Sequence, residues 1–340
     1  MTGQLEGDTP TGGVDNDGGV GSVWRVAAPL IISMVAHTVM SLADVWFISR
    51  LGTKEVAGVG LAIVVNFAFI CFGLGLLGAV KVVVAQAVGA QEAARAEEAP
   101  WVGLCIAVIF GVLVLGVLPL SKPIMILLGS AGSVADFGSL YFSTRLWGAL
   151  GVYISLACFG WYDGYGKTKV GMRVMVFANL FNIALDPILI FGLGPIPALG
   201  VQGAALTTVI AQWLQAVIGL WLLVRDNPTR VRVRTWLSLA PNSTLSRLIK
   251  LGLPMGIQMS LQVFAYAAFT SMVARHDAAH LAAHNIVLRI SSLAFLPCHA
   301  IGQAATILVG QAFGGQQLLI LESTMRSAQR LGLILMMVLC

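Results

Sequence analysis

The sequence predicts an all-α, polytopic membrane helix bundle built from an internal duplication. Composition is the first reason: of 340 residues, 58% are hydrophobic and 10% charged, with mean hydropathy +0.88. A soluble domain carries about 25% charged residues. The second reason is that apolar runs of about 20 residues, enough to cross a bilayer as helix, recur along the chain. They are continuous rather than alternating, which points to helices and not to a closed barrel. The third is an internal echo. Val82-Val83-Val84-Ala85-Gln86-Ala87-Val88-Gly89-Ala90-Gln91 returns as Ile307-Leu308-Val309-Gly310-Gln311-Ala312-Phe313-Gly314-Gly315-Gln316, a shift of 307 − 82 = 225. The same shift carries Pro29 onto Pro254, Ala57 onto Ala282 and Glu97 onto Glu322. Duplicated hydrophobic halves are the mark of membrane carriers that rock about a central site.

Nine spans are expected, at about 24–48, 57–82, 101–120, 140–162, 171–192, 201–224, 249–273, 284–310 and 328 onward. Residues 1–22 are polar and acidic (Glu6, Asp8, Asp15, Asp17) and lack the basic start and short apolar core of a signal peptide. They read as a disordered cytoplasmic tail. Residues 23–225 then form a first six-helix unit, 226–248 a connecting loop, and 249–340 an incomplete second unit; a completed second copy would bring the total to about twelve spans.

Lys and Arg in the short loops set the orientation. Arg225, Arg230, Arg232, Arg234, Arg247 and Lys250 surround the loop after span six, and Lys167, Lys169 and Arg173 the loop after span four, whereas residues 192–198 after span five carry no charge. Even-numbered loops and the N-terminus therefore face the cytoplasm, as in a multi-pass protein of a bacterial inner membrane. Arg50 and Lys54 go against this pattern and are partly offset by Glu55. Basic residues beside a membrane read as topology signal and contact with anionic lipid, not as a nucleic-acid patch.

Charged groups at the centre of a spanning helix cost about 2.5–3.5 kcal/mol, so each calls for a reason. Asp44 in span one and Asp186 in span five stand out. Both helices run outward, and both acids lie roughly 10 Å in from the outer boundary at 1.5 Å rise per residue. Asn179, Asn182 and Asp186 are spaced three and four apart, one stripe on a helix face. Pro187 follows and leaves the carbonyl of Ile183 without its helical donor; Pro29 does the same earlier in span one. A buried carboxyl that is neutral when protonated, and needs a cation or several donors when ionised, can exchange a proton for a cationic or amphipathic substrate. The membrane potential supplies about 2.3 kcal/mol per charge per 100 mV for such an exchange.

Other polar residues read more plainly. Lys81, Arg145 and Arg289 are expected to snorkel toward span ends, and His37 to be a hydrogen-bonded packing residue. His276, His280, His284 and His299 cluster only loosely near the outer side of the second copy and show no pairing pattern, so no metal site is expected. The five cysteines read as small buried hydrophobes. The chain contains no complete Gly-x-x-x-x-Gly-Lys-Ser/Thr phosphate loop and no His-Glu-x-x-His. Gly164-Tyr165-Gly166-Lys167 joins two spanning helices and is a turn. An enzyme is not expected.

Several short motifs occur in a fixed order: Ala28-Pro29-Leu30 with Asp44, Arg50-Leu51-Gly52, Ala85-Gln86-x-x-Gly89-Ala90, Gly164-x-Gly166-x-Thr168-Lys169, Asn182-x-x-x-Asp186-Pro187, Gly203-Ala204-Ala205-Leu206-Thr207-Thr208 and Leu253-Pro254. In this order, and with the duplication, the chain resembles the multidrug and toxic compound extrusion (MATE) transporters, most of all their DinF-type branch, over residues 23 to 340. The resemblance implies two six-helix lobes around a cleft. It implies export of organic cations in exchange for protons or sodium, by a monomer in contact with lipid and without a further cofactor. It implies a coupling and substrate site at Asp44, Asn182 and Asp186, with Thr207 and Asn179 beside them, and bending of the first helix at Pro29. Gln262 stands where sodium-coupled relatives carry a glutamate, which favours coupling through the first lobe. The alternatives are a flippase for a lipid-linked saccharide, which would need deep cationic side chains, and an inactive truncated paralogue.

Overall fold

The structure, a computed structural model, describes residues 17–128, 131–192, 197–227, 243–274 and 278–339. Among the described residues, nine long helices and one short one follow one another: α1 (Val20–Ser49), α2 (Thr53–Gly89), α3 (Ala93–Leu115), then a short α4 (Ser121–Leu127) entered through a 3-10 turn at Leu118–Leu120, α5 (Gly132–Gly164), α6 (Thr168–Phe191), α7 (Gly200–Asp226), α8 (Thr244–Ala274), α9 (Ala278–Gly314) and α10 (Leu318–Leu339). Seven spans among the described residues are long and apolar enough to cross a membrane; α9 and α10 stand at the expected eighth and ninth positions. The helices overrun the expected spans at most ends, because hydropathy marks the hydrocarbon slab while the hydrogen-bonded helix continues into the headgroups. α1 begins inside the segment read as the tail, and α8 begins five residues before the expected boundary at 249. Residues 1–16, the basic loop at 228–242 with Arg230, Arg232 and Arg234, and the side chains of His276, His280, His284 and Arg289 lie outside the described residues.

The surface has the polarity of a lipid-facing body. Leu113, Leu127, Leu261, Phe264 and Val217 are exposed, while the interior is dominated by alanine, valine and glycine. Without water there is no hydrophobic drive between spanning helices, so small residues that let backbones approach carry the packing. α2 is the central helix, packed against α5 on one side and α8 on the other. Tyr153 of α5 fits over Gly73 and donates to the carbonyl of Ile70 at 3.0 Å. Gly75 faces the backbone of Met255 and Gly256 in α8.

The duplication is visible in the backbone. Gln91 and Gln316, related by the shift of 225 (316 − 91), both adopt left-handed φ, at 59° and 56°. Each closes its helix in the same way: Glu92 N–H donates to Ala87 O at 2.8 Å, and Gln317 N–H to Ala312 O at 2.9 Å. The two helix ends also pack on each other reciprocally. A Cβ on Gly89 would fall 1.8 Å from the carbonyl oxygen of Gln311, and one on Gly314 would fall 1.9 Å from that of Gln86. Only glycine permits this crossing of α2 and α9. At the same end, Val26 and Ala27 of α1 are buried against Ile301 and Ala304 of α9.

Candidate functional site

α1, α6 and α7 meet toward their outer ends, the ends that the charge pattern assigns to the outside. α7 can press against α6 because Gly203 leaves room: a Cβ there would sit 2.4 Å from the carbonyl oxygen of Leu189. Pro29 and Pro187 lie inside continuous α1 and α6 rather than at breaks. Near Pro29 the Val26 carbonyl accepts from Thr168 Oγ1 at 3.1 Å, so the first residue of α6 holds α1 beside its proline.

The two acids come together. Asp186, Asn182 and Thr207 have no exposed surface, and Asp44 retains 7%. Thr207 Oγ1 lies 2.5 Å from Asp186 Oδ1 and Thr208 Oγ1 lies 3.4 Å from Asp44 Oδ2. Asn182 bridges the cluster when its amide is oriented as its neighbours require: the nitrogen then donates to Asp44 Oδ1 at 2.9 Å and the oxygen accepts from the Thr208 backbone N–H at 3.1 Å. Asn179 is buried on the same stripe, but neither of its side-chain polar atoms has a partner among the described residues, nor has Asp186 Oδ2. Sequence reasoning singled out Thr207 and passed over Thr208. The adjacent pair was the available signal, since neighbouring helical residues point about 100° apart and can serve two acids on two helices.

The threonine hydroxyls give the cluster two hydrogen-bonding states. Thr207 Oγ1 is also 2.8 Å from Ala204 O, and Thr208 Oγ1 is 3.0 Å from the same carbonyl. A hydroxyl has one proton to donate. When Asp186 is ionised, Thr207 donates to it. When Asp186 is protonated, it can donate to Thr207, whose own proton then turns to Ala204 O. Adding or removing one proton thus rearranges bonds between α6 and α7 without breaking the packing.

A cavity of about 600 Å³ opens beside Asp44, walled by α1, α2, α5 and α7. Asp44 and Thr208 face it, whereas Asp186, Asn182 and Thr207 stand behind that wall. Arg145 faces the same cavity and donates to Gln212 Oε1 at 3.2 Å. This corrects the snorkelling expected of it: the α5–α7 packing turns the side chain inward. His37 lines the cavity too.

A second cavity of about 230 Å³ lies toward the inner end. Lys81 of α2 and Asp163 of α5 line it, and Lys81 Nζ donates to Gln303 Oε1 of α9. Gln303 in turn meets His299 Nε2 at 3.0 Å. Lys81 therefore does not snorkel either; it reaches across to the second repeat. Val152 borders both cavities.

The MatE family matches residues 29–188 and 254–340, well over half the chain, and the two matches start 225 residues apart (254 − 29). The probable multidrug resistance protein NorM of Bradyrhizobium diazoefficiens is 30% identical, over 85% of this chain and 62% of its own length. The multidrug resistance protein NorM of Burkholderia vietnamiensis is 31% identical, over 85% and 63%. The chain thus spans less than two thirds of these relatives. Among solved structures, a MOP-superfamily transporter from Pyrococcus furiosus, described as having a binding pocket of reverse polarity, superposes with a TM-score of 0.85 at 25% identity, covering 98% of this chain and 73% of that one. An outward-facing multidrug resistance MATE transporter gives 0.86 at 24% identity, with the same coverages. Members of the family are transporters and not enzymes, and the chain, helical throughout its regular elements among the described residues and a multi-pass protein of the bacterial inner membrane, belongs to the MatE family.

Proposed function

We propose that the protein exports organic cations and amphipathic compounds in exchange for protons, with the Asp44–Asp186 cluster as the coupling site. The multidrug resistance names of its relatives support the substrate class. The single observation that carries the coupling is that Asp44 and Asp186 share one hydrogen-bonded cluster with Asn182, Thr207 and Thr208, of which only Asp44 and Thr208 reach the cavity. A proton entering from the cavity neutralises Asp44, removes the counter-charge that held a cation there, and passes to Asp186 through the same cluster. In reverse, an ionised Asp44 receives the next cation. Asn179 adds unpartnered polar atoms that a water or an ion would satisfy, and Pro29 and Pro187 leave free carbonyls where α1 and α6 can flex. All of these side chains come from α1, α6 and α7, so a monomer in lipid suffices.

Proton-driven uptake of a fluorescent organic cation into everted membrane vesicles tests this reading. Asp44→Asn and Asp186→Asn should each abolish it while the protein still inserts and folds. Wild-type rates in either variant would remove that acid from the mechanism. Transport that ignores protonophores but needs sodium would assign coupling to the other ion.

A further inference from the structure

We propose that the coupling proton leaves on the inner side through a polar file within the first repeat, and that Asp163 is the carboxylate at its inner end that takes the proton up and releases it. The inference rests on reading the Asp44–Asp186 cluster as the coupling site. It supplies the second half of the route, since a proton that enters from outside must still cross the inner half of the bundle.

The file runs along two helices. On α6, Met175, Asn179, Asn182 and Asp186 follow one another at four, three and four residues, a single face. At 1.5 Å rise per residue, Asn179 lies about 10 Å inward of Asp186, and Met175 about 6 Å further. Met175 lines the inner cavity, so Asn179 stands between the cluster and that cavity. It is 2% exposed, and its Oδ1 and Nδ2 both lack partners among the described residues. On α5, Ser155 and Asp163 both line the cavity, on one face and about 12 Å apart by helical rise. Ser155 is 7% exposed, and its Oγ also lacks a partner among the described residues. Buried polar atoms of this kind call for water. The cavity of about 230 Å³ has room for several molecules at about 30 Å³ each.

Asp163 ends the file, one residue before the last of α5. Lys81 of α2 is the one other charged lining group among the described residues; α1, α6 and α7 contribute none, and α9 contributes Gln303 with His299 behind it. Lys81 acts on Asp163 by charge. Its ammonium nevertheless bonds Gln303, and Asp163 forms no ion pair among the described residues. A direct pair would fix the carboxylate in its ionised form. The arrangement found gives Asp163 a cation nearby when it is ionised and leaves Lys81 a partner in either state. The step moves one proton and no electrons. The carboxyl O–H of Asp186 gives its proton to water held at Asn179, water carries it past Ser155 to the Asp163 carboxylate, and the resulting carboxylic acid releases it to water at the inner end. Asn179 passes on no proton itself; it holds the water that does.

Proteoliposomes of the purified protein separate the steps. Net transport of ethidium driven by a proton gradient requires release of the proton, whereas exchange of labelled for unlabelled ethidium without a gradient does not. Asp163→Asn should lose at least about tenfold more of its net transport than of its exchange, and Asp163→Glu, which keeps a carboxyl, should recover much of the net rate. The infrared difference spectrum on acidification should show a carboxylic acid band that Asp163→Asn lacks. Equal losses of both rates, or a spectrum that Asp163→Asn leaves unchanged, would make Asp163 a structural partner of Lys81 and overturn the inference. Wild-type net transport in Asp163→Asn would overturn it too, by placing the exit in the cleft between the repeats. Failure of the coupling reading looks different: Asp44→Asn would keep gradient-driven transport while Asp163→Asn still lost it.

Discussion

The two cavities of this molecule are built on opposite plans. The outer one draws every polar group from the first repeat: Asp44, Arg145, Thr208 and Gln212 come from α1, α5 and α7. The inner one is closed across the repeats, because Lys81 on α2 bonds Gln303 on α9. A movement of one repeat against the other would break the inner contact and leave the outer cluster intact. On the proposed function, chemistry and rocking would fall in different places and would communicate through elements that touch both. α1 is one: it carries Asp44 near its outer end and packs Val26 and Ala27 on α9 at its inner end. Val152, on the wall of both cavities, is another.

The largest expected effect strikes the inner plan. Gly314→Val or Gly89→Val would drive a side chain into a backbone carbonyl of the partner helix, an atom that cannot swing away. We expect a loss of about 3 kcal/mol or more in each, read as a large drop in the thermal unfolding midpoint of the detergent-solubilised protein. Gly302→Ala, where no atom lies within 4 Å of the added carbon, should change it by less than about 0.5 kcal/mol. If Gly314→Val melted with the wild type, the reciprocal crossing would not hold the repeats together.

Next comes Lys81. Removing its ammonium as Lys81→Met takes away the positive charge that acts on Asp163 across the cavity and leaves Gln303 without its donor, at a cost of about 2–3 kcal/mol. Asp163→Asn in the same molecule should restore much of it, giving a coupling energy of at least about 1 kcal/mol in a double-mutant cycle of unfolding midpoints. Strict additivity would show that the two charges ignore each other, and the contrast between the cavities would then rest on the Gln303 bond alone.

Much of this was legible in the sequence, for reasons that separate what is local from what is not. The duplication, the order of the spans and the shared depth of Asp44 and Asp186 follow from counting along a helix of known rise. Even the meeting of the acids was foreseeable, since two outward helices place residues near their ends at one level. The direction in which a side chain points around its helix axis was not. Arg145 and Lys81 were read as snorkelling because each lies near a span end; which neighbour they reach depends on packing that pairs α5 with α7 and α2 with α9. Thr208 was missed for the same reason, as its partner Asp44 is 164 residues away. The short α4 escaped notice because seven residues carry too little periodicity to register.

Within the outer plan, the two threonines should differ. Thr207→Val removes a contact of 2.5 Å from a buried acid and should cost about 1–2 kcal/mol, whereas Thr208→Val gives up one of 3.4 Å and should cost less than half of that. The carboxyl stretching region of the infrared difference spectrum on acidification should shift in Thr207→Val and change little in Thr208→Val. Equal changes would mean that both hydroxyls serve the cluster alike and that the close contact to Asp186 has no special part in holding its proton.

The most local effects lie where α1 starts. Ser323 and Ser327 of α10 both donate to Gly18 O, at 3.0 and 2.8 Å, and Asp17 Oδ1 accepts from Gly19 N–H at 2.9 Å. Removing both hydroxyls as Ser323→Ala with Ser327→Ala should cost about 1–2 kcal/mol together, most directly visible as faster hydrogen exchange in the first turn of α1. The Asp17 carboxyl acts by charge: the Gly19 N–H and the Ser22 hydroxyl stabilise its ionised form and hold it below its ordinary 3.8. A depressed carboxyl contributes stability above the unfolded value, so its share is present at neutral pH and fades as pH falls through 3.8 and below. Protection of the first turn should therefore drop on acidification in the wild type and stay flat in Asp17→Ala. A parallel drop in both proteins would locate the sensitivity elsewhere and leave the serines of α10 as the foothold of α1, which would extend the cross-repeat plan of the inner end to the first turn of the bundle.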